Sequence, residues 1–92
     1  MKDSIVQTEK QCYFCGRQSN LEVHHILAGV ANRKLSDKYG LWVWLCHNCH
    51  TGTDGAQYNK HKNLELKAEA QLAFERLYSH EKWMELFRKS YI

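Results

Sequence analysis

Two cysteine pairs, Cys12-x-x-Cys15 and Cys46-x-x-Cys49, constrain this chain more than anything else in it. Two residues between cysteines let a tight turn aim both sulfurs at one ion, and two such turns complete a tetrahedron. The chain has 92 residues. A domain of that size buries little apolar surface and needs a staple. Two disulfides or four free thiols are the other readings of the pairs, but paired spacing in a reducing compartment favours structural zinc. Gly16 follows the first pair, where a knuckle needs a residue tolerant of positive φ. The gap between the pairs runs from residue 16 to residue 45, so something folded must sit inside it.

Composition narrows the class. A hydrophobic fraction of 43% with 25% charged residues is that of an ordinary folded protein, which excludes disorder of the whole chain. No apolar run is long enough to span a membrane. The first residues, MKDSIVQTEK, lack the apolar stretch of a signal peptide. The expected location is therefore the cytoplasm. The net charge of +3, from 13 basic and 10 acidic residues, is too mild to identify a nucleic-acid partner by itself.

The expected fold is α+β in a single domain spanning 1–92. Residues 1–11 are polar and read as loosely held. Leu21, Val23 and His25 alternate with Glu22, His24 and Ile26, which suits a short strand within 20–27. Residues 28–40, rich in glycine, asparagine, serine and aspartate, read as a long connection carrying Arg33, Lys34 and Lys38. Leu41-Trp42-Val43-Trp44-Leu45 is apolar and β-rich, a second strand, and the second knuckle follows it into a helix. Trp42 and Trp44 share one strand face and read as packing residues more readily than as base-stacking platforms. Residues 51–59 have an irregular composition. From Asn63, as cap, Leu66, Ala70, Phe74 and Leu77 recur with helical spacing. Ser79 can cap a last helix with Trp83, Leu86 and Phe87 inward. The outline is a zinc-clipped strand–strand–helix core over about 12–62 and a helical tail over about 63–92.

Three of the histidines stand in suggestive places: His24, His25 and His50. Neutral imidazole binds divalent metals, and it suits general-base work near neutral pH. Metal-assisted phosphodiester hydrolysis would use all three. Neighbours on a regular strand point to opposite faces, so His24 and His25 can share a site only if the strand ends, twists or bulges there.

The ordered set Cys12-x-x-Cys15-Gly16, Leu21-Glu22-Val23-His24-His25-Ile26 and Leu45-Cys46-x-x-Cys49-His50 resembles the HNH endonuclease family, in its small zinc-containing form from phages and mobile elements. The likeness covers residues 12 to about 59. It implies a ββα-metal finger with a structural zinc site on Cys12, Cys15, Cys46 and Cys49, followed here by C-terminal helices. It also implies His25 as general base and His24 and His50 as ligands of a separate catalytic ion. That ion would be Mg²⁺ first, with Mn²⁺, Ni²⁺ or Zn²⁺ as alternatives. DNA is the implied partner, with a homodimer or a larger phage protein complex as the assembly. A phage-encoded protein would act in the host cytoplasm.

Two positions depart from the family pattern. Many relatives carry an asparagine just ahead of the second strand, which orients the loop bearing the base. Here that stretch is Tyr39-Gly40-Leu41, leaving Asn32 or Asn48 as replacements. Many relatives also have a basic residue three or four positions beyond His50, where this chain has Thr53 and Asp54. Asp54, Asn59 and His61 are candidates for an additional metal or phosphate contact, though each reads more simply as a loop residue. Arg17, Arg33, Lys34, Lys38, Lys60 and Lys62 flank the proposed site and collectively suit a phosphate track. The competing readings are a catalytically silent zinc module that binds DNA or a protein, and a regulator built on the same fold.

Overall fold

A computed structural model describes residues 2–53 and 55–92. The elements run β1 (Leu21–His25), α1 (Val30–Tyr39), β2 (Trp42–Cys46), α2 (His47–Thr51), α3 (Lys60–Leu77) and α4 (His80–Phe87). β1 and β2 form a two-stranded antiparallel sheet in which Leu21 pairs with Cys46 and His25 with Trp42. This is the α+β outline expected from the sequence, with two strands and four helices among the described residues.

The first difference is α1. Residues 28–40 are not an open connection, because a ten-residue helix occupies most of them. Its inner face is Leu35, Ser36 and Tyr39, and the buried serine breaks the apolar stripe that would announce a helix. Val30 in its first turn is 80% exposed. Gly40 ends the helix in the left-handed region at φ 71°, with its N–H bonded to the Ser36 carbonyl. A Cβ at Gly40 would lie 2.2 Å from the Asp3 carbonyl oxygen, so both the conformation and the close approach require glycine there.

The second difference explains that close approach. Residues 2–13 are not loose; they lie along the outer edge of β2 and over the end of α1. The Ser4 hydroxyl donates to the Trp42 carbonyl, Trp44 N–H donates to Gln7 Oε1 (2.8 Å), and Tyr13 N–H donates to the Trp44 carbonyl (2.9 Å). Ile5 N–H reaches the Gly40 carbonyl, and Trp42 Nε1 donates to the Lys2 carbonyl. A polar segment thus satisfies backbone groups that an open strand edge would expose.

The tail also starts earlier than its apolar pattern. α3 begins at Lys60 and is capped by Asn59, whose side chain accepts from Lys62 N–H, so Asn63 is an interior residue. Leu66, Ala70 and Phe74 are fully buried as the spacing predicts, but Leu77 is 60% exposed. Phe74 is ringed by Tyr39, Tyr78, Trp83 and Phe87, whereas Leu77 is the last residue of α3 and stays open to solvent. Ser79 caps α4 as expected, accepting from Lys82 N–H (3.0 Å). Buried Gln71 ties the end of the chain back to α3, donating to Ser90 Oγ and accepting from Tyr91 N–H.

Candidate functional site

The knuckles form as their spacing dictates. Gly16, at φ 78°, lets its N–H return to the Cys12 carbonyl (2.9 Å), while Cys12 N–H bonds to the Arg17 carbonyl (2.8 Å). Cys46 ends β2 and caps α2, which carries Cys49. The four sulfurs all lie within 4.8 Å of one another, and Cys15 Sγ is 3.6 Å from Cys46 Sγ. Tetrahedral zinc–thiolate bonds of about 2.3 Å place sulfurs about 3.8 Å apart, so the cluster can hold a zinc ion.

The electrostatics agree with that donor set. Burial pushes the Cys12 thiol up, but the backbone amides of Cys46, Cys15 and Phe14 outweigh it and bring its pKa down to about 6. At Cys15 the Arg17 backbone pulls the thiol down, and sharing with Cys12 and Cys46 turns the balance upward. Cys49 is raised by burial and by its three sulfur neighbours. Cys12 is thus the thiol its surroundings favour as thiolate, while Cys15 and Cys49 are held up by their sulfur neighbours, a repulsion that a bound cation relieves.

A second region adjoins it, beginning at His50, the residue after Cys49. A cavity of about 600 Å³ is lined by His24, His25 and His50 together with Arg33, Gln57 and Asn63. β1 ends at His25, and this is how adjacent histidines come to line one cavity. Glu22 and His24 share the strand face that meets α2. His50 Nδ1 donates to Glu22 Oε1 (2.7 Å), and His47 Nδ1 donates to Glu22 Oε2 (3.1 Å). The two imidazoles hold the Glu22 carboxyl below its ordinary value. With Nδ1 engaged by Glu22, Nε2 is the other ring nitrogen of His50.

His24 is 7% exposed, its ring centroid is 5.1 Å from that of His50, and its Nε2 is buried with no hydrogen-bond partner. Burial, then the nearby His50, His25 and Lys67, lower its pKa to about 4, so the ring is neutral at physiological pH. A buried unpaired nitrogen costs stability. The site thus places a neutral His24 ring beside a His50 ring that is bonded to a carboxylate.

His25 takes its partner from α1: its Nε2 lies 2.8 Å from Asp37 Oδ1. Neither Asp37 nor Glu22 stood out in the sequence as a site residue. Glu22 had a usable signal, since it precedes His24 by two on a strand and must share its face. Asp37 had none without knowing that 30–39 is a helix.

Of the basic candidates, Arg33 lines the cavity, and Lys34 and Lys38 stand on the same helix. Arg17 sits at the first cysteine knuckle, with Nε 3.4 Å from Ser19 Oγ. Lys60 is exposed at the start of α3, and Lys62 lies over the Phe14 ring, 5.6 Å from its centroid. Asn59 is occupied as the α3 cap, His61 is exposed in the first turn of that helix, and neither lines the cavity. Asp54 lies outside the described residues. Asn32 and Asn48, the sequence's replacements for the missing asparagine, do not line the cavity either.

No helix among the described residues is long and apolar enough to cross a membrane. No protein-family model, curated protein or solved structure matches this chain.

Proposed function

We propose that this protein is a metal-dependent DNA endonuclease or nickase of the HNH kind, built on a ββα-metal finger that a four-cysteine zinc site holds in shape. The observation that carries the reading is the buried, unpartnered Nε2 of His24, on a residue that lines one cavity with His50 and His25. A pure scaffold needs only the cysteines. An orphaned imidazole beside a second one steadied by Glu22 is costly unless it holds something.

His24 and His50 would hold a divalent ion, Mg²⁺ first. Bound there, such an ion polarises a phosphate and stabilises the leaving oxygen. His25 takes a proton from water, and the resulting hydroxide attacks phosphorus. The bond to the 3′ oxygen breaks, and that oxygen takes a proton from solvent, leaving 5′-phosphate and 3′-hydroxyl ends. Arg33, at the cavity wall, neutralises backbone charge. No set of side chains for reading base edges is recognisable, so cleavage should be weakly sequence-specific.

The test is cleavage of supercoiled plasmid by protein carrying one zinc per chain, with Mg²⁺, Mn²⁺, Ni²⁺ or EDTA. His25→Ala, prepared alike, should keep zinc and fold and lose about 10²–10⁴-fold in rate. No cleavage with any ion, or equal cleavage by His25→Ala, leaves a zinc-stapled binding module as the better account.

A further inference from the structure

Asp37 lies in the last turn of α1, where a carboxylate opposes the negative end of the helix dipole. Aspartate is also among the weaker helix formers. Its presence therefore does not serve α1, and the reason for it has to be sought in what its side chain touches. The contact is His25, with Asp37 Oδ1 2.8 Å from Nε2.

Resting on the nuclease reading above, we propose that Asp37 is the positioning residue for His25. It fixes the ring as the Nε2–H tautomer, which makes Nδ1 the atom that accepts the proton from water. An ionised carboxylate oxygen can only accept, so the nitrogen facing it must carry hydrogen. The other nitrogen then keeps its lone pair, and it is the one left to act on water in the cavity that His25 lines.

The support behind Asp37 is rigid. Its own carbonyl accepts from Lys2 N–H (3.1 Å), and the same stretch of helix is anchored by buried Ser36 and Tyr39. The Ile5 N–H to Gly40 bond (2.9 Å) and the left-handed turn at Gly40 lock the end of that helix. The edge segment 2–5 thus clamps α1, α1 aims the carboxylate, and the carboxylate aims the base.

The experiment uses the full zinc-loaded chain labelled with ¹⁵N at histidine. At pH 8, two-bond imidazole correlations read the His25 tautomer directly. Wild type should show protonated Nε2 and bare Nδ1, and Asp37→Ala should show a tautomer mixture. On supercoiled plasmid at saturating DNA with the preferred ion, Asp37→Ala should lower kcat at least tenfold and leave KM within twofold. Circular dichroism and zinc content should stay at wild-type values, since the helix loses an unfavourable charge. Asp37→Glu, which keeps the carboxylate, should recover part of the kcat. A wild-type ring with bare Nε2, or a full kcat in folded Asp37→Ala, would overturn the proposal. Absence of cleavage by wild type with every ion would instead overturn the nuclease reading and the catalytic half of this inference. The tautomer measurement needs no cleavage and would still decide whether Asp37 holds the ring.

Discussion

The cysteine cluster and the histidine cavity meet on α2, where His50 directly follows Cys49, yet they are built on opposite principles. The cysteine cluster is assembled from two local turns, each made by neighbours in sequence, and two of its sulfur ligands, Cys12 and Cys46, are almost completely buried. The histidine cavity draws on β1, α1, α2 and α3, and it keeps one buried nitrogen unsatisfied. The first arrangement should stabilise the chain when it holds zinc. The second costs stability, as sites kept for chemistry often do. The comparison is broken if the cysteines prove dispensable or the histidines prove structural.

The largest effect should come from zinc. Structural zinc contributes on the order of 10 kcal/mol of folding energy in small zinc domains. Chelation, or Cys46→Ser, should abolish the near-ultraviolet circular dichroism of the three tryptophans and remove the cooperative melt. His24→Ala and His50→Ala should retain both. An unchanged melt after zinc removal would mean that packing alone holds the knuckles together.

This contrast also governs what could be read from sequence. The cysteine site was legible because a ligand spacing of two residues is a local rule. Both strands and α4 were legible for the same reason, through alternation and the Ser79 cap. α1 was not, because Ser36 occupies the centre of its inner face and Val30 points outward, leaving no apolar stripe. The start of α3 was missed because Lys60, His61 and Lys62 are polar, so the apolar period begins more than a turn after the helix does. Asp37 was invisible as a consequence, since only a helix over 30–39 brings it to His25. The edge segment 2–13 has no pattern of its own and gains order from the β2 backbone it covers.

The next effect is the pH dependence that His24 contributes. Unfolded, His24 gains a proton below its ordinary 6.5, whereas folded it resists until about 4. Between those values the unfolded chain binds more protons than the native one. Without added divalent ion, stability should therefore fall as pH falls from about 6.5 to 4, by up to about 3 kcal/mol. The zinc site is common to both proteins, so the difference in slope between wild type and His24→Leu reads the His24 contribution, and His24→Leu should melt above wild type near pH 5. An identical slope in both proteins would show that His24 is not held neutral.

Smaller again is the effect of the carboxylate behind His50. Glu22→Gln keeps the size of the side chain but weakens its acceptance from Nδ1. Losing such a carboxylate commonly lowers metal affinity about 10–100-fold. Isothermal titration with Mn²⁺ on zinc-loaded protein should show that loss, with the melting temperature nearly unmoved. Unaltered Mn²⁺ affinity would separate Glu22 from the ion-binding set and leave it as a surface pair of His47 and His50.

The smallest expected change sets two asparagines at the start of α3 against each other. Asn59 caps α3 and touches no cavity wall, whereas Asn63, one turn later, lines the cavity. Replacing an asparagine cap by alanine costs about 1 kcal/mol. Asn59→Ala should therefore lower the urea midpoint and leave the cleavage rate of the folded protein near wild type. Asn63→Ala lies inside the helix, where alanine is the better former, so its stability should hold or rise slightly. Its cost, if the cavity is the site of chemistry, should appear as a modest loss of cleavage rate. The reverse pattern, with stability lost at Asn63 and rate lost at Asn59, would place the working surface on the side of α3 that bears His61 and Lys62 and would separate the cavity from function.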